Sequence, residues 1–399
     1  MFLSLPVLKG SWKMRDVSIL GVGMTRFGIH PDKSSKMLGA ESVWRAIQDA
    51  GVQPKDIQIA YCGYALSGQL GGQASGLGQL ILKDLGITGI PVTHVENACS
   101  SSACALREAW LAVASGCYDL ALAVGVEKMT GADTGKVIKA LISSSDIELE
   151  TGIIFPGMFA MIAQRHMYEF GTTREQLAKV AVKAHKYGAM NPHAHFQKEI
   201  TLEYALNSQL IASPLRLLDC CPISDGAAAA ILAPTEWAQK LRKNSIKIAS
   251  SVLRTGLYTG DRPITRFEST IEAAKEAYDM AGIGPEDIDF AEVHDCFTIA
   301  EIVHIEDLGF CEKGEGGQYI ESGRAEIDGQ RPINISGGLK AKGHPVGATG
   351  LGQVAEVVWQ LRGEAGQRQI EGVKAGLTHC MGGFLHADGA SLAVHILTT

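Results

Sequence analysis

Helical spacing of apolar positions gives way to strand-like alternation twice in the same order, and the two passages share their residues. AIQDAGVQPKDI at 46–57 returns as AYDMAGIGPEDI at 277–288, an offset of 231 residues. Each copy predicts a helix, a glycine C-cap, a proline turn and then a strand. A second pair of markers, SDGA at 224–227 and ADGA at 387–390, each precedes an apolar run that reads as a strand. These markers lie only 163 residues apart, so the first copy holds 68 more residues than the second. The pattern predicts a duplicated α/β unit, with an excursion inserted into copy one at about 131–221.

Composition narrows the class. A chain of 399 residues, 46% of them hydrophobic, buries one large core or two stacked domains. The net charge of −7 argues against nucleic acid or an anionic membrane as a partner. No apolar run approaches the length of a membrane span. Nine cysteines show neither a CxxC pair nor zinc-ligand spacing, and they read as reduced thiols in a cytoplasmic protein. Residues 1–13 carry no signal-peptide pattern and read as an extension ahead of Met14. Within the excursion, 164–198 holds six Lys/Arg against two Glu, with four of the twelve histidines, a local basic island. His193 and His195 lack a third ligand nearby, so no metal is expected there.

Candidate chemistry collects at three places. Cys99 follows a strand-like run and precedes a small-residue helical run, so it falls at a helix start, with Asn97 and the following serines as cap residues. There the helix dipole and free N–H groups favour a thiolate, the reactive form of cysteine. His294, Asp295, Cys296 and Phe297 end a second strand-like run. His344 lies in a stretch from Gly337 to Gly350 holding five glycines and a proline, which predicts a loop rather than an element interior. A cysteine with two loop histidines is the usual recipe for an activated thiolate nucleophile.

These segments, followed by Cys380-Met381-Gly382-Gly383, stand in the order found in thiolases. The chain resembles the thiolase superfamily from about Val17 onward. Within it the likeness is to the HDCF group, the archaeal and bacterial acetyl-CoA acetyltransferases and sterol-carrier-protein type thiolases. The resemblance implies an α/β thiolase fold of two duplicated βαβαβαββ halves in a five-layered αβαβα core with an inserted loop domain. On that basis 14–130 with 222–240 form the N-terminal half and 131–221 the loop domain that contacts coenzyme A. Residues 241–399 form the C-terminal half.

The resemblance also implies roles. Cys99 is the acyl-accepting nucleophile, and His344 takes its proton and protonates the departing thiolate of coenzyme A. His294 and His344 hold the enolate oxygen, while the backbone amides of Cys99 and Gly382 form a second oxyanion hole. Gly343 and Gly382 border the substrate. The carbon acid/base is Cys296, as in the HDCF group, or Cys380, as in most thiolases; the rest of the chain favours Cys296. Cys62, Cys104, Cys117 and Cys311 read as helix, strand or surface thiols, and Cys220 and Cys221 as core.

The implied activity is acetyl-CoA C-acetyltransfer, a ping-pong condensation of two acetyl-CoA needing no metal and no cofactor beyond coenzyme A as substrate and product. Degradative cleavage of longer or branched 3-ketoacyl-CoA is the alternative. A retro-aldol or acyl-CoA-binding relative is more remote, because both histidines and Cys99 are intact. Implied partners are a second copy, as homodimer or tetramer, a zinc-ribbon/OB-fold protein, and hydroxymethylglutaryl-CoA synthase.

Overall fold

A computed structural model describes residues 14–146, 152–242, 244–259 and 262–399; the expected extension at 1–13 lies outside the described residues. Eleven strands are present among them: β1 (Val17–Met24), β2 (Ile59–Gly63), β3 (Val92–Val95), β4 (Ala121–Glu127), β5 (Leu210–Ala212), β6 (Leu215–Arg216), β7 (Gly226–Pro234), β8 (Ile246–Arg254), β9 (Phe290–Glu292), β10 (Ala375–Gly382) and β11 (Ser391–Thr398). Nine of them stand side by side in the order β3-β2-β4-β7-β1-β8-β11-β10-β9, and β5 and β6 form a separate hairpin.

The duplication is visible strand by strand. In the first half β1 pairs antiparallel with β7, β7 antiparallel with β4, and β4 and β3 flank β2 in parallel. In the second half β8 pairs antiparallel with β11, β11 antiparallel with β10, and β10 parallel with β9. The counterpart of β3 has shrunk to one parallel bridge between Ala291 and Ile333. The halves join where Ser18 and Ile19 pair with Lys247 and Ile246. The repeated sequence explains the repeated shape: helices Ser35–Ala50 and Glu268–Ala281 end on Gly51 and Gly282, both left-handed, and Pro54 and Pro285 each open a 3-10 turn before β2 and β9.

Helices Ser101–Ala114 and Thr349–Arg362 pack on each other and on strands of both halves, forming the middle layer. Helix Ser35–Ala50 covers the outer face of β1, β4 and β7, and helix Glu268–Ala281 the outer face of β8 and β11. Three large apolar cores result, one between the half-sheets and one beneath each outer layer. Each large side chain buried there contributes about 1.5–3 kcal/mol.

Residues 131–221 carry helices Thr134–Ile142, Phe155–Phe170, Arg174–Ala189 and Leu202–Leu206 and the β5–β6 hairpin. The basic island is compensated by carboxylates of the same chain. Arg165 pairs with Glu169, Arg174 with Asp219, Lys179 with Glu321, Lys183 with Glu301 and Lys186 with Glu326, at 2.6–2.9 Å. Four of these five carboxylates lie more than forty residues away in sequence, which is why composition made the island look free.

Candidate active site

Cys99 occupies a 3-10 turn, Ala98–Ser100, that runs directly into helix Ser101–Ala114. Ala98 adopts a left-handed φ of 48°, an uncommon state for a residue with a side chain. The turn is held by other contacts than the expected caps. Ser101 Oγ accepts from the Asn97 amide at 2.9 Å and donates to the Ala98 carbonyl at 2.6 Å, while the Ala98 amide donates to the Glu96 carboxylate at 2.8 Å. Neither Asn97 nor Ser100 caps through its side chain.

The glycine-rich stretch is not a surface loop. Residues 331–350 are all buried, and Gly338–Lys342 makes one π-turn. Its two lysines sit inside the protein, Lys342 paired with Glu292 at 3.1 Å. Beyond it, His344 is locked by the middle layer. His344 Nδ1 meets Thr349 Oγ1 at 2.7 Å, and that hydroxyl donates to the Pro345 carbonyl at 3.1 Å. The hydroxyl proton is thereby used, so the ring donates through Nδ1–H and keeps Nε2 as an acceptor. Gly343, at φ 107°, packs where a Cβ would lie 2.8 Å from Ser224 Oγ. Its glycine is demanded by backbone and neighbour, and the residue borders neither cavity at Cys99.

Cys99, His294 and His344 converge. One ligand-capable atom from each lies within 4.8 Å of the others. The two imidazole rings meet edge to face with centroids 5.2 Å apart. Such a Cys-His-His set matches soft-metal chemistry in donor type, but each member is also what thiol acyl transfer needs. Burial holds His344 down to about 3 and His294 well below its ordinary value, so both rings are neutral. Burial also pushes the Cys99 thiol up to about 12, with nearby Cys221 adding to the rise and the Gly383 amide opposing it. The helix start therefore does not by itself produce a thiolate. Thiol and imidazole both rest neutral.

The two remaining cysteines are placed differently. Cys296 borders a largely apolar cavity of about 300 Å³ together with Cys99, His294 and His344. Cys380 does not border it; its Sγ donates to the Cys99 carbonyl at 3.2 Å and lies 3.9 Å from His294 Nδ1. Gly382 is fixed by contact, since a Cβ there would fall 2.0 Å from the Asn97 carbonyl oxygen. A second, more polar cavity of about 430 Å³ opens on the other side of Cys99, beside Glu96, Ser145 and Gly382.

Some members escape sequence reasoning. Cys220 and Cys221 are not core; both are part of the 300 Å³ cavity wall. Thr349 shows no signal beyond its spacing from His344. His379 accepts from the His294 amide at 3.3 Å and packs at a tilt against His304 with centroids 4.2 Å apart, placing a row of neutral imidazoles behind the site.

Those imidazoles predict a pH response. His193, His294, His304, His344, His379 and His395 are all held below their ordinary value, chiefly by burial. Unfolded, each titrates near ~6.5. Below that pH the unfolded chain binds more protons, so these six groups contribute stability above pH ~6.5 that is lost as pH falls. His94, His185 and His195 are lowered as well, while Glu127, Asp295 and Asp307 are raised by burial and act oppositely, three groups against nine. The melting temperature is expected to fall steeply from about pH 6.5 to 5; a flat profile across that window would contradict this balance.

A duplicated α/β core that gathers a cysteine and two neutral imidazoles where its halves meet is the framework of an acyltransferase. The chain belongs to the thiolase family: its residues 17–236 match the thiolase N-terminal domain and 251–398 the thiolase C-terminal domain-like family. It is 48% identical over 387 residues to the acetyl-CoA acetyltransferase of Methanothermobacter thermautotrophicus, covering 96% of this chain and 100% of that one. It is 38% identical over 385 residues to sterol carrier protein 2 of Bos taurus, covering 92% and 70%. Among solved structures, the Ltp2–ChsH2(DUF35) aldolase superposes with a TM-score of 0.82 at 27% identity, covering 96% and 98%. No helix among the described residues is long and apolar enough to cross a membrane.

Proposed function

We propose that the protein is an acetyl-CoA C-acetyltransferase, condensing two acetyl-CoA to acetoacetyl-CoA and coenzyme A through an acetyl-Cys99 intermediate. The observation carrying this reading is the convergence of Cys99, His294 and His344 on a cavity that Cys296 also borders. In the first half-reaction the Cys99 proton passes to His344 Nε2 and the sulfur attacks the thioester carbonyl. The amides of Cys99 and Gly382 hold the oxyanion, and His344 returns its proton to the departing coenzyme A. In the second, Cys296 removes an α-proton from a new acetyl-CoA while an N–H of His294 holds the enolate oxygen, joined by His344 when its Nε2 carries a proton. The enolate carbon then displaces Cys99 from its acetyl group.

The 48% identity to a protein named acetyl-CoA acetyltransferase supports the acetyl substrate. The 300 Å³ apolar cavity exceeds the needs of an acetyl group and favours, as second reading, degradative action on longer 3-ketoacyl chains. The reading further places the enzyme in the cytoplasm as a dimer or tetramer, without metal, supplying hydroxymethylglutaryl-CoA synthase. A partner of the zinc-ribbon/OB-fold type belongs to it as well; that the Ltp2 aldolase was solved with a DUF35 protein supports a partner on this scaffold.

Steady-state thiolysis with acetoacetyl-CoA and with 3-ketoacyl-CoAs of six to ten carbons tests this. Acetoacetyl-CoA is expected to lead in kcat/KM by about tenfold or more, a difference of ~1.4 kcal/mol. Preference for the longer chains would install the degradative reading, and no thiolysis of either would remove both.

A further inference from the structure

Three consecutive residues beyond β9 are anchored through side chains, at the point where the sheet gives out. β9 pairs in parallel with β10 from Phe290 and Gly376 to Glu292 and Thr378, and the ladder stops there. The next two amides would lie buried without strand partners, which costs the full desolvation of each group. The Val293 amide donates instead to Asn334 Oδ1 at 2.7 Å, and the His294 amide to His379 Nδ1 at 3.3 Å. Asp295, next in line, accepts from the Leu339 amide at 2.7 Å.

The His379 ring is itself held in place. It is fully buried, one residue beyond the last pair of the ladder. Because Nδ1 accepts an amide proton, the ring's own proton stands on Nε2, which meets Thr270 Oγ1 at 3.1 Å. His304 packs at a tilt against the ring, and neither His304 nitrogen has a partner among the described residues, so it holds the ring by packing alone. Gln353 Nε2 donates to the His379 carbonyl at 3.1 Å. Gln353 belongs to helix Thr349–Arg362, whose first residue orients His344, so both histidines of the site are referred to one helix.

We propose that His379 is a positioning residue for carbon–carbon bond formation. By accepting the His294 amide it sets where the His294 ring stands, and so where the N–H that holds the enolate oxygen is aimed. An oxyanion donor works only when it points at the place where charge develops, and a misplacement of about 1 Å can cost 10²-fold. Cys99 and His344 are anchored elsewhere, by the turn Ala98–Ser100 and by Thr349, so acylation does not depend on this bond. The inference rests on the proposed enolate role of His294.

The test compares full chains carrying His379→Asn and His379→Gln. Asn puts an acceptor oxygen near the Nδ1 position and keeps the bond to the His294 amide. Gln puts its amide near the Nε2 position, keeping Thr270 and losing that bond. His379→Gln is expected to slow condensation by about 10²-fold, with single-turnover release of coenzyme A unchanged. His379→Asn should stay close to wild type in both. Hydrogen–deuterium exchange read by mass spectrometry needs no turnover. A peptide holding 290–297 should exchange faster in His379→Gln than in His379→Asn or wild type, and one holding 97–104 should not change. Equal condensation in the two variants, or equal loss of coenzyme A release and condensation in His379→Gln, would overturn the assignment. A wild type without condensation would remove the functional reading and this role with it, a failure told apart by an exchange pattern that still differs between the variants.

Discussion

Cys99→Ala is expected to abolish release of coenzyme A from acetyl-CoA and condensation together, each by on the order of 10⁴–10⁶-fold. The reason is geometric. Cys99 is the sulfur that stands within 4.8 Å of both imidazoles in the Cys-His-His set and opens on the cavities at both sides. His344→Ala should also damage both steps, by about 10²–10⁴-fold, because the ring oriented by Thr349 is the proposed proton acceptor for that sulfur. Single-turnover release of coenzyme A, monitored with a thiol reagent, separates acylation from carbon–carbon bond formation. Retention of that burst in Cys99→Ala would mean that another thiol accepts the acyl group, and Cys221, on the same cavity wall, would be the first to examine.

Much of this architecture is legible in the chain because it is local or repeated. Gly51 and Gly282 end their helices in the left-handed region, and Pro54 and Pro285 open the next turn; such features are set within a few residues. The order of Cys99, His294 and His344 is likewise readable, since each lies at an element end where side chains are free to converge. The illegible part depends on partners distant in sequence. Five cations of the basic island are cancelled by carboxylates, four of which come from other segments. Cys220 and Cys221 precede an apolar strand and so look like core, but the excursion ends there and leaves them on a cavity wall.

The electrostatics are the least accessible part. A helix start argues for a thiolate at Cys99, yet burial outweighs it, and the thiol is raised rather than lowered. The glycine-rich stretch argues for a loop, and loops run mostly over the surface because a buried one leaves backbone groups unpaired. It is buried nevertheless, because its π-turn bonds Asp295 and Lys342 finds Glu292. Composition counts glycines and lysines; it does not count the carboxylates that will meet them.

Cys296→Ala is expected to leave coenzyme A release intact while condensation and thiolysis fall by about 10²–10⁴-fold, the usual contribution of a positioned acid/base. Both candidate thiols are buried and both are raised by burial, so their chemistry alone does not choose between them. Their surroundings do. Cys296 borders the cavity that holds Cys99 and both histidines, where the proposed mechanism has a second acetyl-CoA present its α-carbon. Cys380 is committed to the Cys99 carbonyl at 3.2 Å and is screened from that cavity. Removing it should loosen the nucleophile turn, which would slow acylation and condensation alike. His294→Ala provides the control for the enolate: losing one oxyanion donor costs about 2.7–4 kcal/mol, or 10²–10³-fold, and should touch only the carbon–carbon step. A selective condensation defect in Cys380→Ala, with Cys296→Ala near wild type, would transfer the acid/base role to Cys380.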